Sequence, residues 1–312
     1  MSRARHLLSI ADLDDAELGR LVDDASAVAR GAWDDRKPLA GKCIGVYFRR
    51  TSTRTRTSFT VGAHRLGGSV IAYGPNDLQL ATGESMADTG RVLANYLDAL
   101  VVRTNDGIQE MRDLAAQPTM AVVNAMSEDE HPTQAIADLS AMREALGRLE
   151  GLHVLYLGEG NNTTAALALA VAKTPRMRLT IVTPEGAGLP AQPLERARRL
   201  AAANGSAIEQ HHRMDRLPEG VDVVYTTRWT TMGVPKADPN WLEHYRPYAV
   251  TETVMERVAK ADTVFMHDLP AMRGQEVTDA VLDGPRSIAF RQAYHKLTAA
   301  MAVLAWSTGC GA

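Results

Sequence analysis

Short apolar runs alternate with stretches of helical period along most of the chain. Residues 43–48 (CIGVYF) read as a strand, and residues 58–66 as a helix closed by Gly67 and Gly68. Residues 70–73 form the next apolar run, 85–96 a helical one, and 99–103 and 121–124 two further strands. Upstream, Asp14 followed by Glu17 matches a capping box. It opens a helix reaching Ala29 that turns Leu18, Leu21 and Val22 inward. Residues 132–146 are helical and link the first half of the chain to the second. Beyond Gly151 the rhythm restarts, with strands at 153–157, 179–182, 223–226 and 263–266. Residues 294–306 close the pattern as a helix with Leu297, Met301 and Leu304 on one face. This βα alternation predicts an α/β protein whose parallel sheets are covered by helices.

Composition narrows the class. A length of 312 residues suggests two domains, and 45% hydrophobic with 23% charged residues is an ordinary core-forming composition. A formal net charge of -3 argues against nucleic acid as a partner. The two cysteines, Cys43 and Cys310, have no metal-ligand spacing, so a reducing cytoplasm is expected and a disulfide or zinc framework is not. The first residues lack the apolar stretch of a signal peptide. No uninterrupted apolar run of about 18 residues occurs, so no membrane span is expected.

In open α/β sheets, ligands gather where strand C-termini meet helix N-termini, and every polar motif of this chain falls at such a junction. FRRTSTRTRTSF, residues 48–59, follows the first strand with four arginines and six hydroxyl residues. Ser52, Thr53, Arg54 and Thr55 would place hydroxyls, a guanidinium and backbone N–H groups at a helix start, a site for a phosphate dianion. It lacks the glycines and lysine of a Walker loop; the bland alternative is a solvated, charged loop. Arg103 ends the third strand. His131 and Gln134 share the start of the linking helix, which Pro132 fixes. A histidine there is by itself more often structural than catalytic. VLYLGEGNN (154–162) has Gly158 and Gly160, but Thr163 stands where a dinucleotide fingerprint needs its third glycine. Asn161 and Asn162 are turn formers or ligands for a carboxylate or amine. Thr227, Arg228 and Thr231 leave another strand. His267, Asp268 and Arg273 leave the last one, where Asp268 could equally be a turn or capping residue.

Taken together, in this order and at these separations, HLLSIADLDDAEL, STRTR, GESMADTGRVL, HPTQAIADL, GEGNN and HDLPA resemble the aspartate/ornithine carbamoyltransferase family over nearly the whole chain. GESMADTGRVL and GEGNN are similar to the ornithine branch. The resemblance implies two doubly wound domains, residues 1–147 for carbamoyl phosphate and 148–289 for the amino acid, with the C-terminal helix (290–312) returning to the first. It implies that Ser52, Thr53, Arg54 and Thr55 cradle the phosphate. Arg103, His131 and Gln134, with Thr55, take the carbamoyl group, and Lys296 belongs to the same set. Arg54, Thr55, Arg103 and His131 are then the catalytic residues. Asn162, Thr227, Arg228, Thr231, Met232, Asp268 and Leu269 are the implied acceptor side. No metal or organic cofactor is implied. The expected partners are small molecules, without nucleic acid or membrane, and the resemblance implies a homotrimer whose Gly83 to Met86 segment reaches a neighbour's pocket.

Three positions depart from the ornithine pattern. The usual Asp-x-Trp-x-Ser-Met-Gly loop is Thr227-Arg228-Trp229-Thr230-Thr231-Met232-Gly233, with an arginine placed as in the aspartate enzymes, where it grips a carboxylate. The usual His-Cys-Leu-Pro is His267-Asp268-Leu269-Pro270. The usual arginine of the last helix is Lys296, which keeps the charge and loses the planar fork. The transfer segments are intact while the acceptor side is altered. The expectation is therefore carbamoyl transfer to the side-chain amine of a diamino acid other than ornithine, such as 2,3-diaminopropionate. The alternatives are an ordinary ornithine carbamoyltransferase making citrulline, a non-catalytic binding paralogue, and a nicotinamide oxidoreductase resting on the broken glycine motif.

Overall fold

The computed structural model describes residues 4–230 and 236–311. The chain divides into two compact units, Met1–Ser140 with Tyr294–Ala312, and Ala141–Ala293.

In the first unit, helix α1 (Asp15–Ala29) opens with both arms of the expected capping box, Asp14 accepting from the Glu17 amide and Glu17 from the Asp14 amide. Strand β1 (Cys43–Phe48), helix α2 (Thr53–Arg65), strand β2 (Ser69–Tyr73) and helix α3 (Met86–Leu93) follow. Then come strand β3 (Ala99–Arg103), helix α4 (Gln109–Leu114), strand β4 (Ala121–Met126) and helix α5 (Pro132–Leu146). The sheet is parallel with order β2-β1-β3-β4. β1, β3 and β4 are buried on both faces almost throughout, which is why they read as continuous apolar runs rather than alternating ones. The strand order reverses between β1 and β3, so the crevice for a ligand lies at the C-terminal ends of those two strands.

Helix α2 begins at Thr53, five residues before the helix expected from apolar periodicity. Its first turn, Thr53 to Arg56, offers no apolar side chain for a period to register.

The unit boundary falls inside α5, and the second unit repeats the plan. β5 (His153–Leu157), α6 (Asn162–Ala172), β6 (Arg178–Val182), α7 (Ala191–Ala203), β7 (Ala207–His211) and β8 (Val221–Thr226) lead to α8 (Trp241–Tyr245). α9 (Glu252–Val258), β9 (Ala259–His267) and α10 (Asp279–Leu282) complete it. The five-stranded sheet is parallel with order β7-β6-β5-β8-β9, and its reversal lies between β5 and β8. β7 is an edge strand whose one buried residue is Ile208, too little apolar signal for the sequence pattern to mark it.

The last helix, α11 (Ala289–Ser307), belongs by its contacts to the first unit from Tyr294 onward. Gly62 of α2 is the point of close approach: a Cβ there would come within 3.1 Å of the Met301 side chain. Among the described residues no helix is long and apolar enough to cross a membrane.

Candidate functional site

The first unit carries one polar cluster at its sheet reversal. Ser52 is the N-cap of α2 in an extended conformation, yet its hydroxyl makes no capping hydrogen bond. The first turn contains no acidic residue and holds Arg54 instead. Helix N-termini carry partial positive charge and favour anions, so a first turn with an arginine and no acid suits a bound anion. The other three arginines of the stretch sort differently. Arg49 is tied to Asp106 (2.5 Å), Glu110 (2.7 Å) and the Tyr47 hydroxyl (3.1 Å). Arg56 stacks its guanidinium 5.3 Å from the Phe48 ring centre, and Arg50 is exposed.

Arg103 lies beside this turn because β1 and β3 are neighbours. It pairs in register with Phe48, its carbonyl accepts the Arg49 amide at 3.0 Å, and its guanidinium donates to the Thr55 hydroxyl at 3.3 Å. A register shift between Val102 and Arg103 marks the strand end, the kind of irregularity that re-aims a side chain. Both Arg103 and Thr55 are buried.

His131, just before α5, is buried beside them in the same unit. Burial, then the cations of Lys296 and Arg103, hold its pKa well below the usual imidazole value. At neutral pH the ring is uncharged and keeps one N–H that can donate a hydrogen bond. Gln134 is held from both ends: its amide nitrogen donates to Asp138 at 2.7 Å and its oxygen accepts from the Lys296 ammonium. Asp138 is fully buried. It holds the Gln134 amide, and sequence reasoning missed it, although its place four residues after Gln134 on one helix was a usable signal. Glu130 was also missed. Buried next to His131, it accepts from the Ser9 hydroxyl (2.5 Å) and the Ile10 amide (2.7 Å) and so anchors the N-terminal segment there.

The second unit has its own cluster at the ends of β5, β8 and β9. Asn161 is the N-cap of α6, and its side chain is spent on the Thr163 and Thr164 amides, so it is the turn residue of the pair. Asn162, half-buried, opens the helix. The glycines before it are packing residues. A Cβ on Gly158 would stand 2.4 Å from the Trp229 indole nitrogen, and one on Gly160 2.4 Å from the backbone at Gly188 and Leu189. Close packing accounts for both glycines, so the broken motif gives no support to a nicotinamide enzyme. Glu159 is taken by Lys236 (2.6 Å) and the Tyr245 hydroxyl.

Asp268 is held by two hydroxyls: Thr227 donates to one oxygen at 2.7 Å and Thr163 to the other at 3.0 Å. Arg228 is half-buried, its Nε donating to Thr230 at 3.0 Å. Leu269 sits at φ 54, a left-handed conformation costing about 1–2 kcal/mol for a non-glycine residue. Its amide donates to His267 Nδ1 at 2.8 Å. Arg273 turns to Asp279 and Asp283, each at 2.6 Å, as a structural ion pair. Thr231 and Met232 lie outside the described residues.

Two family models match this chain. That of the aspartate/ornithine carbamoyltransferase carbamoyl-P binding domain covers residues 5–144, and that of the Asp/Orn binding domain covers 150–307. Among curated relatives, the ornithine carbamoyltransferase of Oceanobacillus iheyensis is 37% identical over 97% of this chain and 94% of its own length. That of Methanothermobacter thermautotrophicus is 38% identical over 98% and 99%. Among solved structures, the ornithine carbamoyltransferase of Pyrococcus furiosus superposes with a TM-score of 0.91 at 35% identity, over 98% of this chain and 97% of that one.

Proposed function

We infer the reaction from one premise: the chain belongs to the aspartate/ornithine carbamoyltransferase family and is a carbamoyltransferase. The reading best supported is transfer from carbamoyl phosphate to the side-chain amine of ornithine, the acceptor in the relatives' names. The observation that carries the donor side is the first turn of α2, which has an arginine, no acid and an N-cap hydroxyl that makes no capping bond. A phosphate dianion satisfies all three.

In this reading Ser52, Thr53, Arg54 and Thr55 hold the phosphate. Arg103, His131 and Thr55 donate to the carbonyl oxygen, and Gln134, set by Asp138 and Lys296, orients the carbamoyl group. The neutral amine attacks the carbonyl carbon. The C–N bond forms, the carbonyl electrons move to oxygen, and the donors above stabilise that charge. Collapse breaks the C–O bond to phosphate. A phosphate oxygen takes the amine proton, giving the ureido amino acid and hydrogen phosphate. A neutral His131 suits this role, because an imidazole with a depressed pKa donates its proton as a hydrogen bond without surrendering it.

A second reading, a diamino acid shorter than ornithine, rests on one specific observation. The family's loop aspartate is Thr227 here, the usual cysteine is Asp268, and these two side chains are hydrogen-bonded at 2.7 Å. The carboxylate has moved across one hydrogen bond, from the end of β8 to the end of β9. A panel of ornithine, 2,4-diaminobutyrate, 2,3-diaminopropionate, lysine, putrescine and aspartate, scored by product mass, separates the readings. Ornithine dominance supports the first, and dominance of a shorter diamine the second. The family resemblance also implies a homotrimer. The exposed Gly83 to Ser85 segment and the exposed Ile71, Val92 and Tyr96 of the first unit support an assembly face. Light scattering at the mass of three chains tests it.

A further inference from the structure

The residue before His131 is held from a distant part of the chain. Glu130 is buried, and each of its side-chain oxygens has a donor 121 or 120 residues away in sequence: Oε2 accepts the Ser9 hydroxyl at 2.5 Å and Oε1 the Ile10 amide at 2.7 Å. The segment that carries those donors is fixed in turn. Leu7 forms a parallel bridge with Val123 of β4, its amide donating to the Val122 carbonyl at 2.9 Å and its carbonyl accepting the Asn124 amide at 2.8 Å. The Asn124 side chain donates to the Leu8 carbonyl at 2.9 Å and to the Ser127 hydroxyl at 3.2 Å. β4 is the last strand of its sheet, so residues 7–10 run along its open side and end on the turn before His131. That turn also closes on itself, the Ser127 amide donating to the Glu130 carbonyl at 2.9 Å and the Glu130 amide to the Ser127 hydroxyl at 3.3 Å. On the other side stands Pro132, which keeps the residue before it out of the helical region. His131 itself lies between β4 and α5, outside both, so neither ladder nor helix holds it.

We propose that Glu130 is a positioning residue for His131 and that Ser9 acts through it, so that residues 7–10 brace the turn that holds the imidazole where it donates to the carbamoyl oxygen. This rests on the carbamoyl-transfer reading and deepens it. A donor that meets developing charge contributes most when it is in place before the reaction, because a donor free to swing must first be ordered. Pro132 restricts the backbone of His131 from one side, and the Glu130 side chain ties it down from the other. Filling the space beside His131 would need only an apolar residue. A buried carboxyl group costs free energy unless its oxygens find donors, and residues 9 and 10 supply one to each.

The test uses the full-length enzyme with Glu130→Gln, Ser9→Ala and the hydroxyl-retaining Ser9→Thr. Ser26→Ala is the control, because that buried hydroxyl bonds Ser140 at 3.0 Å and the Val22 carbonyl at 2.8 Å, away from Glu130. Glu130→Gln should lower kcat about 10–100-fold, the scale of a misplaced catalytic group, with the ornithine KM within about twofold. Ser9→Ala should lower kcat about 2–10-fold, the size of one hydrogen bond, and Ser9→Thr should restore it. Each substitution is repeated in a His131→Asn background, where the kcat effects should shrink to within about twofold, because residues that act through one group are not additive. The proposal is overturned if those effects persist undiminished without His131, or if Ser9→Ala lowers kcat no more than Ser26→Ala. A second readout needs no turnover. In protein carrying carbon-labelled histidine, the His131 ring signal is the one that His131→Asn removes. Ser9→Ala and Glu130→Gln should move it and Ser26→Ala should not; a signal unmoved by the first two overturns the proposal. Should the native enzyme release phosphate without a carbamoylated amine, the transfer reading fails on its own, and the ring signal decides the positioning of His131 separately.

Discussion

Replacing Asp138 by leucine tests how the carbamoyl end is positioned. Asp138 is buried and accepts the Gln134 amide nitrogen at 2.7 Å. The other end of that amide accepts from Lys296. Without Asp138 the buried N–H loses its charged acceptor, a cost of about 1–3 kcal/mol. The amide can then turn over, and the turned amide presents a donor to the Lys296 ammonium, so both partners lose their fixed geometry. If that orientation serves the transition state, a hydrogen bond to a charged group is at stake, about 1.5–3 kcal/mol. At about 1.4 kcal/mol per tenfold, kcat/KM for carbamoyl phosphate should fall about 10–150-fold. Steady-state rates with each substrate varied in turn, beside a thermal melt, read this out. The ornithine KM should stay within about twofold. Asp138→Asn, which keeps an acceptor oxygen, should be milder. A melt lowered by the expected amount with carbamoyl phosphate kinetics intact would refute the reasoning, leaving Asp138 as a fold residue alone.

Other substitutions probe other links. Arg54→Ala should cost on the order of a hundredfold or more in kcat/KM for carbamoyl phosphate in steady-state assays, because the phosphate loses a charge-assisted, bidentate partner. Arg228→Ala should abolish any preference for a shorter diamino acid over ornithine and leave carbamoyl phosphate kinetics unchanged; an altered carbamoyl phosphate KM would count against an acceptor-side role. Stability should depend on pH through His131. Its folded pKa lies below the unfolded value of 6.5, so its contribution is full above 6.5 and is lost as pH falls from there toward the folded pKa. Melts across that window should decline less steeply for His131→Asn, and equal slopes would place the effect in other groups.

The elements that the sequence announces best are those whose burial matches a simple period. β1, β3 and β5 fall at their expected residues because they are buried parallel strands with continuous apolar runs. α1 starts where its capping box places it. The late start expected for α2 and the missed strand β7 share a cause, which is polar residues doing structural work. The first turn of α2 is written in threonine and arginine, and β7 (AIEQH) offers the core one buried residue. The site divides in the same way. Arg103, His131 and Gln134 lie at junctions but gain roles only through the family resemblance, and the fold of the first unit brings Arg103 and Thr55 into contact. Hydrogen bonds across long sequence distances, such as Thr163 to Asp268 and Lys296 to Gln134, have no local signature. The likeness to ornithine carbamoyltransferases favours ornithine over the shorter acceptor that the altered motifs suggest. The Asp268 cluster is where that difference will be decided.

The most direct measurement is a turnover experiment with carbon-labelled carbamoyl phosphate and ornithine, following phosphate and the mass of the amino acid together. One labelled ureido product per phosphate released, abolished by Arg54→Ala, is the expected result. Phosphate release without a carbamoylated amine, or tight binding of carbamoyl phosphate with no turnover of any amine offered, would contradict carbamoyl transfer as the work of this protein.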